Sequence, residues 1–286
     1  MNETDFPFRW KIASPDELGS LLNPDFIPDE WLLSSVRFCA ARILTLSQNS
    51  RLVFVGRSLD SVHDYLSGIL GETSWNNRLL RLNISLYGHS IEHIRELYPK
   101  SFKSLKKYFE KLAIDPIAVK SSKIPTSFVD VVCEGGTYEQ IFKLLNNWSD
   151  ELQNDSVIMN KKVRFIGITR RRKTSPNTWR WQQQTEWTKF IKSSNIKNVS
   201  MDYEFWTHVA NYQPKITKSF TPKMWETEEA KSPVHSEERI KALNEAHFLY
   251  NAGKSKKERL LFGRELLTKQ SMKKDWLRTL AHEIKV

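Results

Sequence analysis

A short stretch in the middle of the chain combines the residue types that bind a phosphate group. Residues 128–137 read FVDVVCEGGT, an apolar run that ends in two adjacent glycines, Gly135 and Gly136. The apolar run predicts a buried strand, and the glycines allow a tight turn with close backbone approach. Thr137 can cap the helix that follows. A strand that leads through a glycine turn into a helix N-terminus presents free N–H groups at the positive end of the helix dipole, so the stretch predicts an anion site.

A second strand, turn and helix precede this stretch. Residues 51–70 read RLVFVGRSLDSVHDYLSGIL. In the predicted turn, Gly56 permits close approach of a ligand, and Arg57 can pair with phosphate through its planar guanidinium. Ser58 or Asp60 can cap the helix. A surface salt bridge for Arg57 and a simple cap at Ser58 are the structural alternatives. Because parallel strands bind ligands beyond their carboxyl ends, we expect the two turns to share one edge of the sheet.

Residues 130–137, DVVCEGGT, resemble the phosphoribosyl-diphosphate signature of type I phosphoribosyltransferases. In that family an acidic pair faces the ribose hydroxyls and the following turn wraps the 5′-phosphate. The resemblance implies that Asp130 is the second acid of the pair, whereas Val129 stands in the place of the first. Glu134 stands where the family often has a small hydroxyl residue. The implied phosphate loop consists of Glu134, Gly135, Gly136 and Thr137.

The resemblance covers residues 52–169 and is carried by residues 52–70 and 128–137. It implies an α/β fold with a parallel, Rossmann-like sheet. It also implies an enzyme that binds phosphoribosyl diphosphate or a nucleotide and acts at C1 of ribose 5-phosphate, or a relative that cleaves an N-glycosidic bond there. Asp130 and Arg57 are then the catalytic residues, with Gly56, Arg57 and Ser58 near the diphosphate. Mg²⁺ is implied by the resemblance alone and not by any ligand cluster in the sequence. The seven histidines show no spacing typical of zinc ligands.

The order of the predicted elements favours a parallel α/β sheet. Besides the two units above, the hydrophobic patterns predict a helix over 28–47, a strand over 79–86, helices over 91–114 with a break at Pro99, a short strand over 117–119, a helix over 138–152 and a strand over 163–169. Two or three helices are expected after residue 236, with a stop at Gly253. We therefore divide the chain into a helical lead-in (1–50), an α/β core (51–225) and a C-terminal helical extension (226–286).

The net charge of +11 is concentrated in one region. Residues 161–225 contain 14 Lys and Arg residues but only 3 acids, and the difference, 11, equals the excess of the whole chain. Such a field attracts a polyanion. The predicted nucleic-acid-binding residues are Arg170, Arg171, Arg172, Lys173, Trp179, Arg180 and Trp181. As alternatives, the tryptophans pack on a helix predicted over 185–192, or the segment docks against acidic residues 226–229 or another protein chain.

A second hypothesis follows from the missing first acid. It describes a catalytically inactive protein that binds a nucleotide or nucleic acid on the same fold, such as an effector or partner subunit of a bacterial ribonucleoprotein or antiviral defence complex. With a mean hydropathy of −0.52 and no long apolar run, no membrane association is expected. The first residues show no secretory signal pattern, so we expect a cytoplasmic protein. Cys39 and Cys133 are expected to be buried free thiols.

Overall fold

A single parallel sheet forms the centre of the molecule. The computed structural model describes residues 7–86, 88–171, 180–233, 235–267 and 273–285. In order along the chain, the strands of these ranges are β1 (Arg51–Val55), β2 (Leu79–Leu82), β3 (Thr126–Val131), β4 (Val163–Arg170) and β5 (Ile196–Met201). All neighbouring strands pair in parallel, in the order β2-β1-β3-β4-β5. This order is one of the two common orders of doubly wound sheets, and it confirms the predicted α/β class with a parallel sheet.

Helices cover both faces of the sheet. The α-helices of the described residues are α1 (Pro15–Leu18), α2 (Glu30–Leu46), α3 (Asp60–Leu70), α4 (Ile91–Leu97), α5 (Pro99–Lys111), α6 (Pro116–Ser121), α7 (Gly136–Glu151), α8 (Ser156–Lys162), α9 (Tyr203–Thr207), α10 (Glu237–Lys254), α11 (Lys256–Leu266) and α12 (Asp275–Lys285). The predicted break at Pro99 is confirmed, because α4 ends at Leu97 and α5 begins at that proline.

The two faces of the sheet contribute to two separate cores. On one face, Leu52 and Phe54 of β1 pack with helices α2, α3, α11 and α12. On the other face, Val53 and Val55 of the same strand pack with helices α4, α5, α6 and α7. This alternation follows from the period of two along a strand, and because both faces are covered β1 is apolar from Leu52 to Val55.

Helix α10 packs on α3 with their backbones in contact. A Cβ atom at Gly68 would lie 2.1 Å from the carbonyl oxygen of Tyr250, and one at Gly253 would lie 2.5 Å from that of Tyr65. Gly253 therefore serves close packing, and the prediction that it stops a helix is wrong, since α10 continues through it to Lys254. The C-terminal helices also share the core beneath β1, so the two regions are packed together.

Three predicted elements differ from the structure, and one strand was not predicted. The strand predicted over 79–86 ends at Leu82. Residues 117–119 belong to α6 and not to a strand, because Asp115 caps the helix and Pro116 occupies its first position. The helix predicted over 185–192 is a short 3₁₀ turn, Glu186–Phe190. Strand β5 was not predicted, since its sequence IKNVSM is half polar, as suits an edge strand.

Candidate functional site

The carboxyl ends of β1 and β3 form the topological switch point of the sheet. These strands are neighbours, yet α3 after β1 and α7 after β3 pack on opposite faces. The two connections therefore leave in opposite directions, which in doubly wound sheets opens the crevice where ligands bind. The structure brings the two predicted turns, residues 56–58 and 134–137, to this one edge.

The turn after β3 leads directly into α7. Gly135 has φ +85° and is the residue before the helix, with no side-chain cap in the described part of the chain. Helix α7 begins at Gly136, so the prediction that Thr137 caps it is wrong. Gly136 and Glu134 are exposed, and a Cβ atom at Gly136 would have no neighbour within 4 Å among the described residues. The first turn of this long helix thus keeps an open approach to its N–H groups.

Trp181 lies against the turn after β3. A Cβ atom at Gly135 would come within 2.4 Å of the indole atom Cε3 of Trp181. The indole is 2% exposed, and its Nε1 donates a hydrogen bond of 2.8 Å to Oδ1 of Asn198. This burial contradicts the predicted base-stacking role of Trp181, because a base cannot reach a ring that already fills the core. Arg172, Lys173 and Trp179 lie outside the described residues.

Arg57 extends from the turn after β1 towards another part of the chain. Its Nη1 donates a hydrogen bond of 2.8 Å to the carbonyl oxygen of Thr217. Burial lowers the pKa of the Arg57 guanidinium below its ordinary value, and the charge of Asp60 opposes that shift. Gly56 adopts φ +68°, as expected of a turn glycine. The residue before α3 is Leu59 and no side chain caps that helix in the described structure, so capping by Ser58 or Asp60 is not observed.

Asp130 lies near the end of β3 and is 9% exposed. Its Oδ1 accepts a hydrogen bond of 2.7 Å from the backbone N–H of Val131. Burial raises the pKa of this carboxyl to about 8, while the Val131 N–H and the charge of Lys215 act in the opposite direction. At neutral pH the group is therefore largely a carboxylic acid. Such strong perturbation at a ligand-binding edge is typical of functional groups.

Lys215 is the functional candidate that the sequence did not reveal. Its Nζ donates hydrogen bonds to the carbonyl oxygen of Val209, at 2.9 Å, and to Oε1 of Gln213, at 2.8 Å. Burial lowers its pKa to about 8, against the attraction of nearby carboxyls that include Asp60 and Asp130. In the sequence it is one lysine among many in a basic region. We refer to Arg57, Asp60, Asp130 and Lys215 as the switch-point cluster.

Residues 213–220, the covering segment, lie across the carboxyl ends of β1 and β2. Besides accepting from Arg57, Thr217 accepts a hydrogen bond of 2.9 Å from Nδ2 of Asn83 through its hydroxyl. Further along, the carbonyl oxygen of Phe220 accepts from the N–H of Ser85 at 2.9 Å. The covering segment therefore lies against the turn after β1 and the end of β2. A ligand can contact Arg57 through its other N–H groups or by displacing the hydrogen bond to Thr217.

A groove of about 980 Å³ lies beside the switch point, where β3 and β4 end and along β5. Its walls include Arg170, Arg180 and Lys197, and none of the described residues that line it is acidic. Arg170, Arg171 and Arg180 are exposed, as a nucleic-acid-binding role requires. Cys133 also lines the groove and is exposed, so the prediction that it is buried is wrong, whereas burial of Cys39 is confirmed.

The switch-point cluster does not fit a magnesium site formed by the protein. Mg²⁺ prefers ionised carboxylates in octahedral geometry, usually together with substrate phosphates. The carboxyls of the cluster are only two, Asp60 and Asp130, and Asp60 lies 3.6 Å from the guanidinium of Arg81. In the described ranges, no group of three or more His, Cys, Asp or Glu side chains could hold a metal ion. No step of the reaction proposed below involves Mg²⁺.

Comparison with family models, with curated proteins and with solved structures found no match for this chain. Within the part of the chain that the structure describes, no helix has the length and apolar character needed to span a membrane.

Proposed function

We propose that this protein is a phosphoribosyltransferase-like enzyme that binds phosphoribosyl diphosphate or a nucleotide and acts at C1 of ribose 5-phosphate. One observation carries the proposal: a buried carboxyl, Asp130, and a partly buried ammonium, Lys215, lie within electrostatic reach of each other at the switch point between two turns suited to phosphate. Strongly perturbed ionisable groups at the ligand-binding edge of a sheet are typical of functional sites, so this pair favours function over stability alone.

The proposed ligand occupies both turns. Its 5′-phosphate lies at the N-terminus of α7, where Gly136 leaves space and the backbone N–H groups and helix dipole favour an anion. The neutral carboxyl of Asp130 donates a hydrogen bond to a ribose hydroxyl. Arg57 exchanges the carbonyl oxygen of Thr217 for an oxygen of the diphosphate, which is the stronger, charge-assisted partner.

The reaction then depends on positioning and charge stabilisation. The bond between C1 and the diphosphate oxygen breaks, and its electron pair leaves with diphosphate. A nitrogen of a base, or a water molecule, forms the new bond to C1 and gives up a proton. Arg57 and Lys215 stabilise the negative charge that develops on the diphosphate. Closure by the covering segment, residues 213–220, excludes water from the cationic transition state.

Calorimetric titration with phosphoribosyl diphosphate, with and without Mg²⁺, tests this function. We expect binding by the wild-type protein and loss of binding in Gly136→Val, because a side chain there blocks the phosphate without touching the described protein. Lys215→Met should weaken binding of the diphosphate, while Lys103→Met, at an exposed position on α5, should not. Equal affinity of wild type and Gly136→Val, both folded, would remove the turn after β3 from the site.

A catalytically inactive binding protein is the second candidate. Two contacts within the chain favour it. Arg57 donates a hydrogen bond to Thr217 and Trp181 packs against Gly135, so each of the two turns already contacts another part of the chain. Such a protein binds a nucleotide or nucleic acid without turnover, and an acidic protein partner is the further possibility for its basic residues. Release of diphosphate from phosphoribosyl diphosphate separates the two candidates, because only the enzyme produces it.

A further inference from the structure

The groove beside the switch point supports an inference that is independent of the phosphoribosyl site. The groove runs along β5, between that strand and residues 180–194. Its volume of about 980 Å³ lies at the upper end of the range of small-molecule sites, which is roughly 300–1,000 Å³. It therefore has room for several linked chemical groups.

The charge of the groove selects an anion. Arg170 stands at one end of β4 and Arg180 on the opposite wall, and no described lining residue is acidic. Arg171 continues the basic surface, where its Nη2 donates a hydrogen bond of 3.3 Å to the carbonyl oxygen of Ser200. Cations spread along a groove, and not focused on one point, match a chain of phosphates better than a single phosphate.

The neutral lining residues suit exposed bases. Gln183, Ser193, Ser194 and Ser200 line the groove with exposed side chains that donate and accept hydrogen bonds. In a duplex the Watson–Crick edges of the bases are occupied by pairing, whereas the bases of a single strand can turn towards such groups. The groove therefore favours a single strand over a duplex.

A stacking position lies at the end of the groove. The guanidinium carbon of Arg170 is 4.0 Å from the ring centroid of Tyr203, and Tyr203 is 55% exposed. Bases stack on aromatic rings and on guanidinium planes. An acidic peptide can satisfy the cations, but most of its side chains lack the planar rings that this pair accommodates.

We infer that the groove binds single-stranded nucleic acid, with Arg170 and Arg180 on its phosphates and the Arg170–Tyr203 pair stacked on a base. The binding residues differ in part from those that the sequence predicts, because buried Trp181 forms part of the wall and Tyr203 takes the stacking role.

Fluorescence anisotropy with labelled oligonucleotides of about 16 nucleotides tests the inference at about 50 and 200 mM salt. We expect single strands to bind more tightly than a duplex of the same sequence. Arg170→Glu with Arg180→Glu should weaken binding at least about tenfold and reduce the salt slope by about 2. Lys100→Glu with Lys103→Glu changes the net charge equally on exposed α5 positions and is the matched control.

The stacking position has its own matched pair of variants. Tyr203→Ala should weaken binding by about tenfold, whereas Tyr212→Ala, at a tyrosine that is 76% exposed outside the groove, should leave it unchanged. Absence of binding at low salt would overturn the inference. So would an unchanged affinity of the charge-reversal variant, or an oligoglutamate peptide that binds as tightly as the single strand. Preference for the duplex would also overturn it. None of these results depends on binding of phosphoribosyl diphosphate.

Discussion

Asp130 carries most of the proposed chemistry, and its ionisation links the site to folding. Burial raises its pKa from 3.8 to about 8. Between these values the folded protein binds more protons than the unfolded chain, so the contribution of Asp130 to the free energy of unfolding falls as the pH rises from about 4 to about 8. The slope is at most about 1.4 kcal/mol per pH unit.

We therefore predict that Asp130→Asn gains stability relative to wild type as the pH rises from about 5 to 8, since asparagine does not titrate. Urea denaturation across this range measures the difference. Asp150→Asn, at an exposed position near the end of α7, should follow the wild-type curve. Parallel curves for wild type and Asp130→Asn would show that this carboxyl is ionised in the folded protein, and its role as a neutral hydrogen-bond donor would be lost.

The two adjacent glycines of the turn after β3 have different roles. Gly135→Ala places a side chain in left-handed backbone and within 2.4 Å of Trp181, so we expect it to lower the free energy of unfolding by about 3 kcal/mol. Gly136→Val meets open space and should change stability by less than about 1 kcal/mol. Thermal and urea denaturation of both variants provide the comparison, and equal losses would contradict the different packing of the two positions.

At the scale of elements, the contact of α3 with α10 makes a separate prediction. Gly68→Ala would bring its Cβ to 2.1 Å from a backbone carbonyl oxygen, which cannot move without shifting a helix. We expect a loss of about 3 kcal/mol or more. Gly263→Ala in α11 is the control, because its Cβ meets only the flexible side chain of Lys285. Helix propensity favours alanine there by up to about 1 kcal/mol, so that variant should be neutral or more stable.

The sequence predicted those elements whose pattern is local. Strands β1, β3 and β4 each contain a short run of buried apolar residues, and the predicted strands start within two residues of the observed ones. Strand β5 was not predicted because its six residues, IKNVSM, include no two adjacent apolar residues. Helix α6 was missed although Asp115 and Pro116 form a helix start, since the three apolar residues that follow also fit a strand.

In the candidate site, too, the parts defined by a local sequence pattern were predicted and the parts defined by tertiary contacts were not. Both turns were predicted, because each lies within ten residues of the strand that positions it. Lys215 and the covering segment could not be predicted, because only tertiary contacts bring them to the switch point. The contact of Thr217 with Asn83, for example, joins residues more than 130 positions apart in the sequence. The buried state of Trp181 likewise depends on Gly135 and Asn198, which no local pattern connects.

At the scale of the whole molecule, the C-terminal helices complete the core of the sheet. Phe262, Leu266, Leu277 and Leu280 are buried in the cluster that contains Leu52 of β1. We predict that a chain ending at residue 236 loses cooperative unfolding, because exposing several such side chains and their partners costs about 1.5–3 kcal/mol each against a total stability of about 5–15 kcal/mol. Circular dichroism during urea denaturation tests this, and a sharp transition in the truncated chain would establish the extension as separable.

The fold places the basic residues of the range 161–225 in two kinds of environment. Some cations are used within the chain, as when Lys162 donates to the carbonyl oxygens of Lys120 and Ser122, or when Lys215 lies partly buried at the switch point. Arg170, Arg171 and Arg180 are left on the surface near the groove. The net charge of residues 161–225 therefore overestimates how many cations are available to bind a ligand. The binding surface is defined by the positions of these three exposed arginines.

The central claim is that the switch-point cluster acts on C1 of a phosphorylated ribose, and phosphorus NMR tests it most directly. Phosphoribosyl diphosphate is incubated with the wild-type protein, with and without Mg²⁺, alone and with a mixture of nucleobases. We expect its signals to decline and free diphosphate to appear, with the rate reduced by orders of magnitude in Asp130→Asn and unchanged in Asp150→Asn. Intact phosphoribosyl diphosphate after prolonged incubation with folded wild-type protein, under all of these conditions, would contradict it.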